Sequence, residues 1–148
     1  METVDLLRET PVALANMVKE LDKSLLVAKP DSKWSIQEHV GHLLTIESLW
    51  IAHFDDFVLE KPFLRPWNGT NADTDAGQFN LQGISQILDD FASIRNAHMN
   101  LIDKYLPKQD EMTCHHQSKG IDLTLRAHLE MMLMHDQDHL EIILKRLA

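Results

Sequence analysis

Cysteine is almost absent. The chain has 148 residues and a single Cys, Cys114, so no intramolecular disulfide can brace it, and a reducing, cytoplasmic setting is expected. Glycine and proline are also scarce, five of each, which counts against an all-β fold built on many tight turns. No apolar run approaches the roughly 20 residues that span a bilayer. The opening METVDLLRET is acidic where a secretory leader would be basic, so no membrane partner is expected. Positive charge is in deficit, with 14 Lys and Arg against 23 Asp and Glu and a formal net charge of -9. A phosphate backbone, and hence nucleic acid, is a poor partner for such a chain. The 44% hydrophobic and 25% charged content is that of a globular protein, and the length suits one domain, residues 1–148, with a core that needs no staples.

What the chain has in excess is histidine, nine against one Tyr. Histidine is the commonest metal ligand, so the placement of these nine matters. The 3.6-residue period predicts an all-α fold of four helices. The first opens at Thr10-Pro11, an N-cap followed by Pro at the first helical position, carries Leu14, Met17, Val18, Leu21 and Leu25, and ends before Lys29-Pro30. Residues 3–9 add at most a short leading turn. The second starts at Ser35, with Glu38 completing a capping box, and runs to about Leu59. The third spans roughly Asn80 to Leu106 and the fourth about Ile121 to Leu147. Between the second and third lies KPFLRPWNGTNADTDAGQF, a connection too long for a simple hairpin of helices. A crossover that carries the chain back along the bundle accounts for it, giving an up-down-down-up four-helix bundle with helices two and three parallel.

The fourth helix carries the chemistry. At 100° per residue, His128, His135 and His139 fall within about 40° of one another, on an arc with Leu125, Met131, Met132, Ile142 and Ile143. His135 and His139 form H-x-x-x-H, the i,i+4 spacing that lets two imidazoles share one ion. His128 lies about 10 Å further along the axis, too far to join them. On the second helix His39, His42 and His53 flank an apolar arc. His42 sits about 10 Å from that helix's start and His139 about 12 Å from the end of the fourth, so their heights match if the two helices are antiparallel. The long crossover produces that arrangement, and His42, His135 and His139 then converge. A single inward His is ordinarily a core residue, but three aligned ones with a topological match point to a metal site.

The run KWSIQEHVGHLLTIE, with HLEMMLMHDQDHLEIILKRL about ninety residues later, resembles the DinB-like, DNA-damage-inducible family of four-helix bundles across nearly the whole chain. The matching positions are Trp34-Ser35, His42 in the Gly-His-Leu step, and His135-Asp-x-x-His139. The resemblance implies one divalent metal (Zn, Ni, Mn or Fe) on the three histidines, an up-down-down-up course, and a homodimer. It also implies kinship with S-transferases or isomerases that use bacillithiol, mycothiol or glutathione, alongside members without an assigned activity.

Two charged residues interrupt apolar faces: Glu47 on the second helix and Arg95 on the third. Their heights, about 18 and 22 Å from their helix starts, let them meet. They form a buried structural ion pair, or Arg95 stands at the rim of the metal cavity and holds a substrate carboxylate. His39, His53, His98 and His128 are expected as core, rim or supporting groups. Cys114 is expected in a polar loop beside His115 and His116, where adventitious metal could bind. A ferritin-like di-iron site would need Glu-x-x-His pairs, and the chain contains none. Two functions follow: a metal-dependent thiol S-transferase or hydrolase acting on a small molecule with a low-molecular-weight thiol as possible cosubstrate, or a non-catalytic, stress-linked metal- or ligand-binding module.

Overall fold

The computed structural model describes residues 2–148. In chain order the elements are α1 (Thr3–Val18), α2 (Lys23–Val27), α3 (Ile36–Val58), α4 (Ala72–Ala76), α5 (Ile84–Asp103), the antiparallel strands β1 (Thr113–His116) and β2 (Ile121–Thr124), and α6 (Leu125–Leu147). The bundle is made by α1, α3, α5 and α6. Ring contacts fix their directions: His42 meets His139, Trp50 meets His135 and His128, and Phe57 meets His128. Rising numbers on α3 meet falling numbers on α6, so these two are antiparallel. Glu47 meets Arg95 while Phe54 meets His98 and Tyr105, so α3 and α5 are parallel. Leu14 and Val18 pack with Ile87 and Leu88, and Val4 and Leu7 with Met99 and Ile102, so α1 opposes α5. The course is up-down-down-up.

Two apolar clusters form the core, one around Leu7, Trp50, Phe54, Met99 and Met132, the other around Leu14, Leu43, Phe91 and Ile143. Between them in every bundle helix lies a polar residue: Thr10, Glu47, Arg95 and Asp136. All four are buried, and they form one network. Arg95 donates to Glu47 Oε2 at 2.9 Å and to Asp136 Oδ2 at 2.6 Å. Thr10 donates to Asp136 Oδ2 at 2.8 Å, and His98 Nδ1 to Glu47 Oε1 at 2.7 Å. A remaining donor of Arg95 reaches the Leu7 carbonyl at 2.9 Å. That carbonyl is free because its i+4 partner in the helix is Pro11, which has no N–H.

The capping box at the start of α3 is present, with Ser35 Oγ accepting from Glu38 N and Glu38 Oε1 from Ser35 N, both at 3.0 Å. Elsewhere the boundaries differ from the sequence expectation. Thr10-Pro11 does not open the first helix: α1 begins at Thr3 and runs through Pro11, since Arg95 satisfies the carbonyl that the proline leaves open. The single helix expected to end before Lys29-Pro30 breaks after Val18 and resumes as α2. The third helix starts at Ile84 rather than Asn80, because Phe79–Leu81 turns as a 3-10 helix. Phe79 lies so close to Gly41 that a Cβ there would overlap its ring, which is why the crossover can dock onto α3. The fourth helix starts at Leu125 rather than Ile121, since residues 121–124 pair with 113–116, and Thr124 caps α6 by accepting from Ala127 N at 3.1 Å.

Candidate metal centre

His135 and His139 stand one turn apart on α6, and His42 faces them from α3. One ligand nitrogen from each lies within 4.8 Å of the others, and His42 Nε2 is 3.2 Å from His135 Nε2. Imidazole nitrogens this close must share a proton or face a common cation. Burial, reinforced by the neighbouring imidazoles, pushes His42 down to about 4 and His139 down to about 3. Burial lowers His135 as well. The three are therefore neutral at pH 7, the protonation state that binds metal.

The outward nitrogens of two of them are held in turn, while Nδ1 of His135 is buried without a hydrogen-bond partner. His42 Nδ1 is 3.0 Å from Thr74 Oγ1, supplied by α4 in the crossover, and His139 Nδ1 is 2.9 Å from His39 Nδ1. A hydrogen bond from Nδ1–H to Thr74 leaves the His42 Nε2 lone pair facing His135, the orienting device common around metal-bound imidazoles. His39 is itself held neutral, burial pushing it down to about 4, so its Nδ1 is able to accept from His139. Trp34 packs on the centre, its ring 5.0 Å from that of His42 and 6.5 Å from that of His139. Three neutral imidazoles, two of them with tautomers fixed by a partner, suit one divalent ion with room for a further ligand.

That room exists. A cavity of about 690 Å³ reaches all three histidines and is walled by Trp34, Trp50, Trp67, Ile46, Leu64 and Met131. Among the described residues no Asp or Glu lines it, although the chain has 23 acidic residues and Asp73 lines a smaller cavity that also reaches His42. Its roof joins two segments: crossover residues 64–71 and the β1–β2 turn, stitched together where Leu64 N donates to His115 O at 2.8 Å.

The other expected site residues divide. His39 touches the triad. His128 is enclosed among Trp50, His53 and Phe57 and lines the far part of the cavity. His53 donates to the Arg65 carbonyl at 2.7 Å, and His98 serves Glu47. Arg95 does not stand at the cavity rim. It is 0% exposed, and all its donors are taken by Glu47, Asp136 and Leu7, so neither it nor Glu47 reaches a substrate. Cys114 is not in a polar loop: it is buried in β1, with Sγ 3.4 Å from the Lys61 carbonyl. His115 is paired with Asp122 at 2.7 Å, and no metal group forms there among the described residues. Asp136 and Thr74 were not anticipated. Asp136 has a sequence signal, standing four and seven residues from Met132 and Leu129 on the buried stripe of α6; Thr74, in an irregular connection, has none.

An up-down-down-up bundle with a histidine triad able to hold a metal defines a known class of protein. The DinB superfamily model matches residues 6–143, and the chain belongs to that superfamily. Among solved structures it is similar to YfiT from Bacillus subtilis, described as a probable metal-dependent hydrolase with an unusual four-helix bundle topology. That similarity has a TM-score of 0.80 at 19% identity and covers 97% of this chain and 83% of YfiT. No functionally curated protein matches the sequence.

Proposed function

We propose that this protein is a metal-dependent enzyme that transfers a low-molecular-weight thiol to a small electrophile, with His42, His135 and His139 holding the ion. The observation that carries the proposal is the triad's position: three neutral imidazoles at one end of an aromatic cavity of about 690 Å³ with no carboxylate in its wall. A divalent ion on three imidazoles keeps its full charge and an open position, and supplies Lewis acidity that lowers the pKa of a thiol or of water. The chain's own contribution is to fix the ligand tautomers through Thr74 and His39, to shield the site from bulk water with Trp34 and Trp50, and to bind the apolar part of the substrate. In the transfer the thiol loses its proton to solvent, a sulfur–carbon bond forms, and the electrophile's leaving group departs with its bonding electrons. A thiol, once deprotonated, is already the nucleophile; hydrolysis by water ordinarily adds a carboxylate base beside the metal, and the wall of this cavity supplies none among the described residues.

Hydrolysis of a small molecule is the second proposal, favoured by the description of YfiT. The protein, purified without an affinity tag, is assayed for bound metal by elemental analysis. It is then offered thiols with chlorinated nitroaromatics, and separately nitrophenyl esters. Thiol-dependent turnover that disappears with chelator and returns with metal supports transfer. Ester turnover without thiol supports hydrolysis. Stoichiometric metal with neither activity supports the non-catalytic binding module.

A further inference from the structure

We infer that the cavity is built for an anionic small molecule, and that Lys119 on the β1–β2 turn is the residue that selects its charge. The inference rests on the proposal above only in treating this cavity as the substrate site. The acidic balance of the chain stops at the cavity wall. Its lining holds two cationic side chains, Arg65 and Lys119, and no Asp or Glu. Arg65 is already neutralised: its guanidinium grips Asp56 through Nε at 3.1 Å and Nη2 at 2.8 Å. Lys119 has no ion-pair partner among the described residues.

The turn that carries Lys119 is fixed in place. Gly120, at φ 66°, closes it with a hydrogen bond from its N–H to His116 O at 2.9 Å. His116 Nδ1 accepts from Lys119 N at 3.2 Å and lies 3.2 Å from Ser118 Oγ. The Leu64-to-His115 bond ties the strand to the crossover. An unpaired, exposed cation thus stands on an anchored turn at the edge of an aromatic cavity, where its charge can act on an entering anion and is screened by salt. The matching ligand has an aromatic or other flat apolar body for the tryptophans and a carboxylate or comparable anionic group for Lys119. The carboxylate-binding role that Arg95 cannot fill thereby falls to a residue outside the helices.

All three tryptophans of the chain line the cavity, so quenching of intrinsic fluorescence reports its occupancy. The probes are 4-nitrobenzoate and its neutral counterpart 4-nitrobenzamide, titrated at low ionic strength into protein kept metal-free with EDTA. The benzoate is expected to bind at least about threefold more tightly, with the difference shrinking in 0.5 M salt. Lys119→Glu is expected to weaken the benzoate about tenfold relative to the amide, while unchanged amide binding shows that the cavity is intact. Equal binding of the two probes by the wild type, or a ratio indifferent to Lys119→Glu, overturns the inference; so does failure of both to bind. A benzoate that binds only the metal-loaded protein and ignores Lys119 also overturns it, while leaving the metal centre standing. Lys119-dependent binding by a protein that takes up no metal has the opposite meaning.

Discussion

Replacing Arg95 with Met tests the layer that joins the four bundle helices. The substitution keeps most of the side-chain volume but removes the Arg95 charge from a site where Glu47 and Asp136 have 0% exposed side chains. Burial opposes the charged form of Glu47, yet hydrogen bonds from His98 and Arg95 together with the Arg95 charge hold its pKa below the usual carboxylate range. Without Arg95 the His98 hydrogen bond to Glu47 and the Thr10 hydrogen bond to Asp136 remain, but both carboxylates lose their paired charge, and the Leu7 carbonyl beneath Pro11 loses its donor. Breaking a buried ion pair on one side costs about 3–5 kcal/mol. With a urea m-value of about 2 kcal/mol/M, the unfolding midpoint at pH 7 should drop by about 2 M. The cost should shrink in acid. In the wild type the depressed Glu47 pKa contributes stability above the unfolded pKa that is lost as pH falls; in the variant burial, no longer opposed by the Arg95 charge, pushes the Glu47 carboxyl upward and protonation relieves it. Converting Arg95, Glu47 and Asp136 together to Met, Leu and Leu should recover more than half of the loss. Urea melts followed by circular dichroism at pH 7 and pH 5 measure all three quantities. A single-variant cost below about 1 kcal/mol at pH 7, or one that does not fall at pH 5, refutes the buried-layer account.

His139→Ala should abolish stoichiometric metal with helical content retained, whereas His128→Phe should keep the metal; elemental analysis and circular dichroism decide both. Thr74→Val and His39→Ala should each weaken metal binding by about 10–100-fold, because each removes the partner that fixes a ligand's tautomer; competition with a colorimetric chelator reads the affinity, and a change under about threefold would deny the supporting role. His128 is enclosed and pushed down to about 3 by burial and by His53 and His98, so the unfolded chain binds its proton first as pH falls. That one residue should remove about 2 kcal/mol of stability between pH 7 and pH 5, and His128→Phe should flatten the acid limb of the metal-free protein by that amount. Gly41→Ala should cost about 1–3 kcal/mol by forcing Phe79 off α3; a thermal melt unchanged from wild type would mean that the crossover docks elsewhere.

The parts of the fold legible in the sequence were those carried by long-period patterns. His135 and His139 announce themselves by spacing, His42 by its axial height, Glu47 and Arg95 by interrupting apolar faces, and the parallel α3–α5 pair by the length of the connection. What escaped was short-range or depended on partners. Four-residue strands such as Thr113–His116 and Ile121–Thr124 are too brief to show a period, and the apolar spacing of α6 reads smoothly backward through the second of them. Thr10-Pro11 carries a genuine N-terminal signature, overridden because a guanidinium on another helix takes the carbonyl that the proline leaves open. The stripe of α6 was centred too far toward His135 and His139: the buried line runs through Leu125, His128, Leu129, Met132, Asp136 and Ile143, while Ile142 is 40% exposed.

That offset connects the core to the site. If His135 and His139 occupied the centre of the α6 stripe, they would be packed in the bundle interior with no open side for a ligand. Because Asp136 holds the core position, fixed by Arg95 and Thr10, the residues beside it on the helix are turned toward the flank, where the cavity lies. One turn of α6 thus serves two purposes, with Asp136 locking the rotation of the helix and His135 presenting a ligand nitrogen at the angle that rotation dictates. The crossover completes the geometry from the other side. Its length makes α3 and α6 antiparallel, which brings His42 to the height of His139, and its short helix α4 delivers Thr74 to the back of His42. Stability and the geometry of the triad are therefore coupled through adjacent residues of a single turn, so damage to the buried layer should reach the triad even though no residue of the layer belongs to it.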